Sequence, residues 1–88
     1  MVMDFIADYI DKSGNFLHAP FQTLTLKPVD KHVVALGACA QLRERGFTPL
    51  LIVYVPGEHS PEELEEIARH GPIGNLETVY RATICSPR

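Results

Sequence analysis

The chain has 88 residues, of which 45% are hydrophobic and 22% are charged, and its formal net charge is −3. This length predicts one domain, and this composition is typical of a globular protein and argues against global disorder. The negative charge gives no electrostatic attraction to nucleic acid or to an anionic membrane. With only two cysteines, no apolar run long enough to span a bilayer and acids in place of a basic signal region, we expect a cytoplasmic protein.

The first predicted element covers residues 2–10, whose apolar residues fit either one face of a strand or one stripe of a helix. The following segment, Asp11–Asn15, has an aspartate at the first turn position and a glycine at the fourth. This pattern favours a type I turn closed by a left-handed glycine, which makes residues 2–10 the first strand of a hairpin. The alternative is an N-terminal helix that ends at Gly14.

Residues 16–26 complete the hairpin with a second strand rich in Phe, Leu and Thr. Pro20 removes a backbone donor, which places this strand at a sheet edge or bends it. A helix is predicted from Lys31 to Arg45, with Asp30 as its N-cap and Gly46 as its left-handed stop. Its predicted buried stripe consists of Ala35, Leu36, Cys39 and Leu42.

The most apolar run of the chain, residues 50–55, lies between two prolines and predicts a strand at the centre of the sheet. The sequence Ser60-Pro61-Glu62-Glu63 is a capping box and predicts a second helix, which ends before Gly71-Pro72. Residues 76–85 alternate between apolar and polar and predict a last strand with one face on the core. Residues 86–88 are predicted to be a loose tail.

The element order predicts a single α+β domain of the form ββαβαβ. We expect a two-layer sandwich, in which a mixed four-stranded sheet carries both helices on one face. This layout resembles the ferredoxin-like sandwiches, apart from the hairpin at its start, and that architecture hosts many unrelated functions. The other face of the sheet would be open to a partner or to a second copy.

Acidic residues dominate the predicted surface, particularly around the second helix. Such a cluster indicates either a solvated face or a docking surface that attracts a basic partner by complementary charge. The partner-binding residues predicted on this basis are Asp4, Asp8, Glu58, Glu62, Glu63 and Glu66.

A second candidate site lies where the central strand ends. Tyr54, Glu58 and His59 would lie near that end and could contribute to a ligand-binding or enzymatic site assembled in a dimer. The four histidines match no zinc signature, and no nucleophile is paired with a base, so we predict no metal, no cofactor and no catalytic residue. Cys39 is predicted to act as a small hydrophobic residue.

These features predict a small non-enzymatic interaction protein, such as an adaptor, regulator or inhibitor. It would bind another macromolecule through its acidic surface or through the open sheet face. The alternative is a small dimeric enzyme or ligand-binding subunit with its site at the end of the central strand. The small residues of Ala35–Ala40 permit close approach, either to the protein's own sheet or to the same helix in a homodimer. We expect a protein partner or a second copy, not nucleic acid or a membrane.

Overall fold

A computed structural model of the chain describes residues 2–71 and 73–82. The α+β class, the element order ββαβαβ and the initial hairpin are confirmed, and the alternative of an N-terminal helix is wrong. The elements are β1 (Val2–Ile10), β2 (Phe16–Leu24), α1 (Lys31–Glu44), β3 (Thr48–Val55), α2 (Pro61–His70), a 3-10 helix (Ile73–Asn75) and β4 (Glu77–Arg81). The predicted tail and the predicted end of the last strand, residues 83–88, lie outside the described residues.

The four strands lie in the order β2-β1-β3-β4, and each neighbouring pair is antiparallel. The predicted mixed sheet is therefore wrong. A strand–helix–strand unit often sets its two strands side by side and parallel, but here β1 lies between β2 and β3 and pairs with both of them. The run at the centre of the sequence does form a central strand, β3, and Pro20 lies in the edge strand β2.

The two helices pack on opposite faces of the sheet, not on one face as predicted. On the face covered by α1, the buried cluster comprises Met3, Phe5, Ala7, Ala35, Cys39, Ile52 and Val79. On the face covered by α2, it comprises Ile6, Val53, Val55, Leu64 and Ala68. Successive residues of a strand point to opposite faces, and β1 and β3 supply apolar residues to both. Because both faces of these central strands are apolar, each face needs a helix to cover it.

The turn and capping signals of the sequence are confirmed. Asp11 and Gly14 form the turn between β1 and β2, and Gly14 has a φ of 86°. Asp30 caps the N-terminus of α1. At the start of α2, Ser60 and Glu63 make both hydrogen bonds of the capping box. These local features fix where each helix begins and therefore which of its residues reach the sheet.

Candidate functional site

The predicted acidic docking surface is smaller in the structure than in the sequence. Asp4 is 0% exposed, so it does not belong to the surface. Asp8 is bonded to His18, and its side chain is 16% exposed. The predicted residues that do lie on the exposed surface are Glu58, Glu62, Glu63 and Glu66.

Part of the exposed acidic charge is offset within α2 itself. Glu65 accepts a hydrogen bond from Arg69 at 2.8 Å, and Glu66 Oε1 lies 3.6 Å from His70 Nε2. Glu63 accepts the N–H of the N-cap residue, and this hydrogen bond is the main cause of its lowered pKa. These local partners weaken the field that would attract a basic protein.

The second predicted site is not assembled, because the sheet separates its members. Tyr54 lies on the face covered by α1, where its ring packs edge-on against Phe5 at a centroid distance of 5.7 Å. The ring of His59 lies on the opposite face, bonded to Asp4. Glu58, next to His59, is exposed. Tyr54 and His59 therefore lie on opposite faces of the sheet.

A buried carboxylate on β1 fixes the loop that precedes α2. Asp4 Oδ2 accepts a hydrogen bond from His59 Nδ1 at 2.8 Å, and Asp4 Oδ1 accepts one from Gln22 Nε2 at 2.9 Å. The same Gln22 amide donates to the backbone carbonyl of His59 at 2.8 Å. Because Asp4 is fully buried, these donors replace the hydration that its side chain has lost.

A second histidine fastens the other end of α2. His18 Nδ1 is bonded to Asp8 Oδ1, and His18 Nε2 lies 2.7 Å from the carbonyl oxygen of Ala68. Both partners are acceptors, so the ring satisfies both only when each nitrogen carries a proton. Burial of the ring lowers its pKa, but the hydrogen bonds to Asp8 and Ala68 and the charge of Asp8 outweigh burial and raise the pKa of His18.

The two histidine networks hold α2 on the β1–β2 half of the sheet. Asp4 and Asp8 are about 13 Å apart along β1, and the paired residues Ile6 and Pro20 lie between them. The network of Asp4 and His59 lies just before the first residue of α2, and the network of Asp8 and His18 bonds to its last turn. The networks therefore explain the position of α2. Among the described residues, no group of three or more His, Cys, Asp or Glu side chains could hold a metal ion.

Helix α1 is apolar on the side that faces away from the sheet as well as on the side that faces it. Ala35 and Cys39 are fully buried against the sheet. On the opposite side, Val33 and Leu36 are 57% and 58% exposed. At 100° per residue these two share one side with two further exposed residues, and together they form the outward stripe, Val33, Leu36, Gly37 and Ala40. A surface helix usually carries polar residues there, so this pattern is typical of a covered helix.

An open groove of about 440 Å³ lies beside α1, above β1 and β2. Its floor consists of Ala7, Tyr9, Ala19, Phe21 and Thr23, and its helical wall includes Val34, Gly37, Ala38, Gln41 and Arg45. The groove exists because α1 packs over β3 and β4. A four-stranded sheet is about 19 Å wide, and a helix with its side chains is about 10 Å wide, so one helix covers half of the face. The open sheet surface is therefore half of one face.

The exposed large apolar side chains lie on both faces of the sheet. Those with the largest exposed fractions are Phe16, Leu17, Leu24, Leu26, Val29, Val33 and Leu36. The β1–β2 register places Phe16 and Leu24 on the face covered by α2, whereas Val33 and Leu36 belong to the outward stripe of α1. Because exposed apolar surface beside an apolar groove is typical of an interaction site, the groove and the outward stripe, together called the α1 side, form the candidate site.

The sequence interpretation missed this site because it placed Leu36 in the buried stripe. The structure turns Leu36 outward and buries Ala35 and Cys39. Small and apolar residues occur on nearly all sides of α1, so periodicity alone does not select the side that meets the sheet. The sequence does contain one indication of an apolar outer side of α1. Val33 and Ala40 are apolar and lie on the side of the helix opposite Ala35 and Cys39.

Comparison of the chain with protein-family models, with curated proteins and with solved structures found no match. Within residues 2–71 and 73–82, the longest apolar helix is too short to cross a membrane.

Proposed function

We propose that this chain is a small non-enzymatic interaction domain and that it binds a partner through the α1 side. The observation that carries the proposal is the outward stripe, which leaves Val33 and Leu36 more than half exposed next to an apolar groove. Covering such surface contributes about 25 cal/mol per Å² removed from water. The acidic face of α2 is the weaker candidate, because several of its carboxylates have local partners.

The shape and chemistry of the α1 side fit an amphipathic helix of the partner. The groove runs beside α1, whose 14 residues span about 21 Å, and the open half of the face is about one helix wide. Its floor, with Ala19 and Phe21, is largely apolar, and Arg45 at one end of its wall would attract a carboxylate. The best-fitting ligand is therefore a helix of about three turns, with an apolar stripe and an acidic residue near one end.

A displayed library of helical peptides tests this proposal. Peptides selected on the wild-type protein should share the apolar stripe and the acidic residue. Gly37→Glu is the decisive variant, because Gly37 lines the groove and an added Cβ there meets no atom within 4 Å. The substitution favours the helical state of α1 but places a charge at the apolar groove. Binding should be lost while the protein stays folded, as measured by circular dichroism.

The matched control is Gly74→Glu, in the 3-10 helix after α2. An added Cβ at Gly74 also meets no atom within 4 Å, so this variant should bind the selected peptides as the wild type does. Glu62→Lys and Glu66→Lys examine the acidic face of α2. Binding that survives Gly37→Glu and disappears with these charge reversals would assign the interaction to the acidic face and overturn the proposal.

A further inference from the structure

We infer that the helix bound by the α1 side is α1 of a second copy, so that the protein forms a symmetric homodimer through this surface. The inference rests on the proposed function and specifies its partner. One chain supplies both halves of the contact, a groove that fits an apolar helix and a helix with an exposed apolar stripe. A two-fold dimer needs this self-complementarity, since the same patch serves on both copies.

The residues of α1 divide into four sides at 100° per residue. The side with Ala35 faces the protein's own sheet. The groove side carries Ala38 and Gln41, and the outward stripe lies opposite the sheet. The remaining side carries His32 and Arg43, both exposed. Three sides of α1 are therefore largely apolar, apart from Glu44 and Arg45 at its C-terminal end, and the fourth has the polar character of a solvated surface.

All three of these sides make contacts when the two-fold axis of the dimer runs parallel to α1 at the mouth of the groove. This axis places α1 of the second copy in the groove, beside the first α1 and parallel to it. Gly37 and Ala38 are small enough to let the two helices approach closely. Each helix then has its own sheet on one side and the β1–β2 half of the other sheet on the opposite side. The dimer is a layer of two helices between two sheets, each about 10 Å away.

The charges at the C-terminal end of α1 complement each other in this arrangement. A two-fold axis parallel to the helices keeps residues at equal height, so it brings Glu44 of one copy to the groove end that contains Arg45 of the other. Glu44 lies one turn beyond Ala40, in line with the outward stripe. Arg45 is the one charged residue among the described residues that line the groove. The dimer would contain two symmetry-related Glu44–Arg45 pairs, and these pairs would favour the parallel orientation of the two α1 helices.

Sedimentation equilibrium up to millimolar protein concentration tests the dimer. The wild type should reach twice its chain mass of 9.8 kDa. Gly37→Glu should raise the dissociation constant about 100-fold or more, because two carboxylates would enter an apolar interface, whereas Gly74→Glu should leave it unchanged. Glu44→Arg and Arg45→Glu should each weaken the dimer roughly two- to thirty-fold, and the double exchange should restore it.

Site-directed cross-linking tests the orientation of the helices. Gln41 lies on the groove side, so the two-fold axis sets it opposite its own counterpart. Gln41→Cys in a Cys85→Ser background should give a disulfide-linked dimer on mild oxidation. Cys39 does not compete, because it is fully buried. Glu66→Cys, at an exposed position of α2, is the matched control and should stay monomeric on a denaturing gel.

A chain that remains monomeric at all concentrations overturns the inference, as does a dimer that Gly37→Glu leaves intact. A monomer whose peptide binding still depends on Gly37 separates the two ideas, because it retains the proposed function and rejects the second copy as the partner. A dimer that requires Gly37 but shows no Gln41→Cys cross-link rejects the parallel two-fold arrangement.

Discussion

His18 on β2 and Ala68 in the last turn of α2 are fifty positions apart in the chain, yet the His18 Nε2 atom lies 2.7 Å from the Ala68 carbonyl oxygen. The other ring nitrogen is bonded to Asp8 on β1. One imidazole therefore joins two strands and a helix. Because both of its partners are acceptors, it makes both bonds only as the imidazolium ion, so protonation of His18 is linked to the attachment of α2.

This linkage predicts that the protein becomes less stable as the pH rises above neutrality. The pKa of His18 is raised in the folded protein from its ordinary value of 6.5. Its contribution is therefore fully present below the unfolded-state pKa and is lost as the pH rises through the folded-state pKa. The free energy of unfolding, measured with urea, should fall as the pH rises from about 6.5, the unfolded-state pKa, through the folded-state pKa. His18→Gln should flatten this dependence.

His70→Gln is the matched control for this experiment, because His70 is an exposed histidine of α2. It should keep the wild-type pH dependence. Hydrogen bonds also lower the pKa of three carboxyl groups, but their stabilisation is lost only in more acid solution, below the range in which His18 acts. These groups are Asp11, Glu63 and Glu77. An unchanged slope in His18→Gln would assign the pH dependence to another group.

The features that could be predicted from the sequence are those that involve a few neighbouring residues. The turn at Gly14, the N-cap at Asp30 and the capping box of Ser60 and Glu63 each depend on contacts within about one helical turn. The central position of β3 was also predictable, because its continuous apolar run needs cover on both faces. The sequence does not show which helix covers which face, since that choice depends on strand order.

The burial of Asp4 could not be predicted, because its partners are distant in the sequence. Gln22 is 18 positions away and His59 is 55 positions away. On β1, Asp4 and Asp8 alternate with apolar neighbours and look like part of a solvated face. They become interior only when α2 and its preceding loop pack over them. The acidic surface was overestimated for this reason.

Replacement of the Asp4 side chain should be destabilising. Asp4→Ala would remove the acceptor of the His59 imidazole and the Gln22 amide and would open a small cavity. We expect a loss of about 1–3 kcal/mol in the free energy of unfolding, measured with urea. The surface variant Glu62→Ala should change it by less than about 0.5 kcal/mol. Equal effects of the two variants would contradict the buried network.

The hydroxyl of Thr23 should be dispensable. Thr23 Oγ1 is buried and has no hydrogen-bond partner among the described residues. Thr23→Val keeps the branched shape that suits a strand and removes the unsatisfied group. The free energy of unfolding should stay the same or rise by up to about 1 kcal/mol. Thr23→Ser, which keeps the hydroxyl and loses the methyl group, should be the less stable of the two. A less stable Thr23→Val would indicate that the hydroxyl has a partner.

Truncation of a leucine in α1 and of one in α2 should have different effects on stability, because only the leucine in α2 is buried in its own chain. Leu64 is 1% exposed in the core under α2, so Leu64→Ala should cost about 2–5 kcal/mol. Leu36 is 58% exposed, so Leu36→Ala should change the free energy of unfolding by less than about 1 kcal/mol. Both values come from thermal and urea denaturation at low protein concentration, where association contributes least. A large loss in Leu36→Ala under these conditions would mean that α1 is rotated and that its outward stripe is core. A small loss, with dimer formation weakened at high concentration, is the result expected for a residue whose contacts lie outside its own chain.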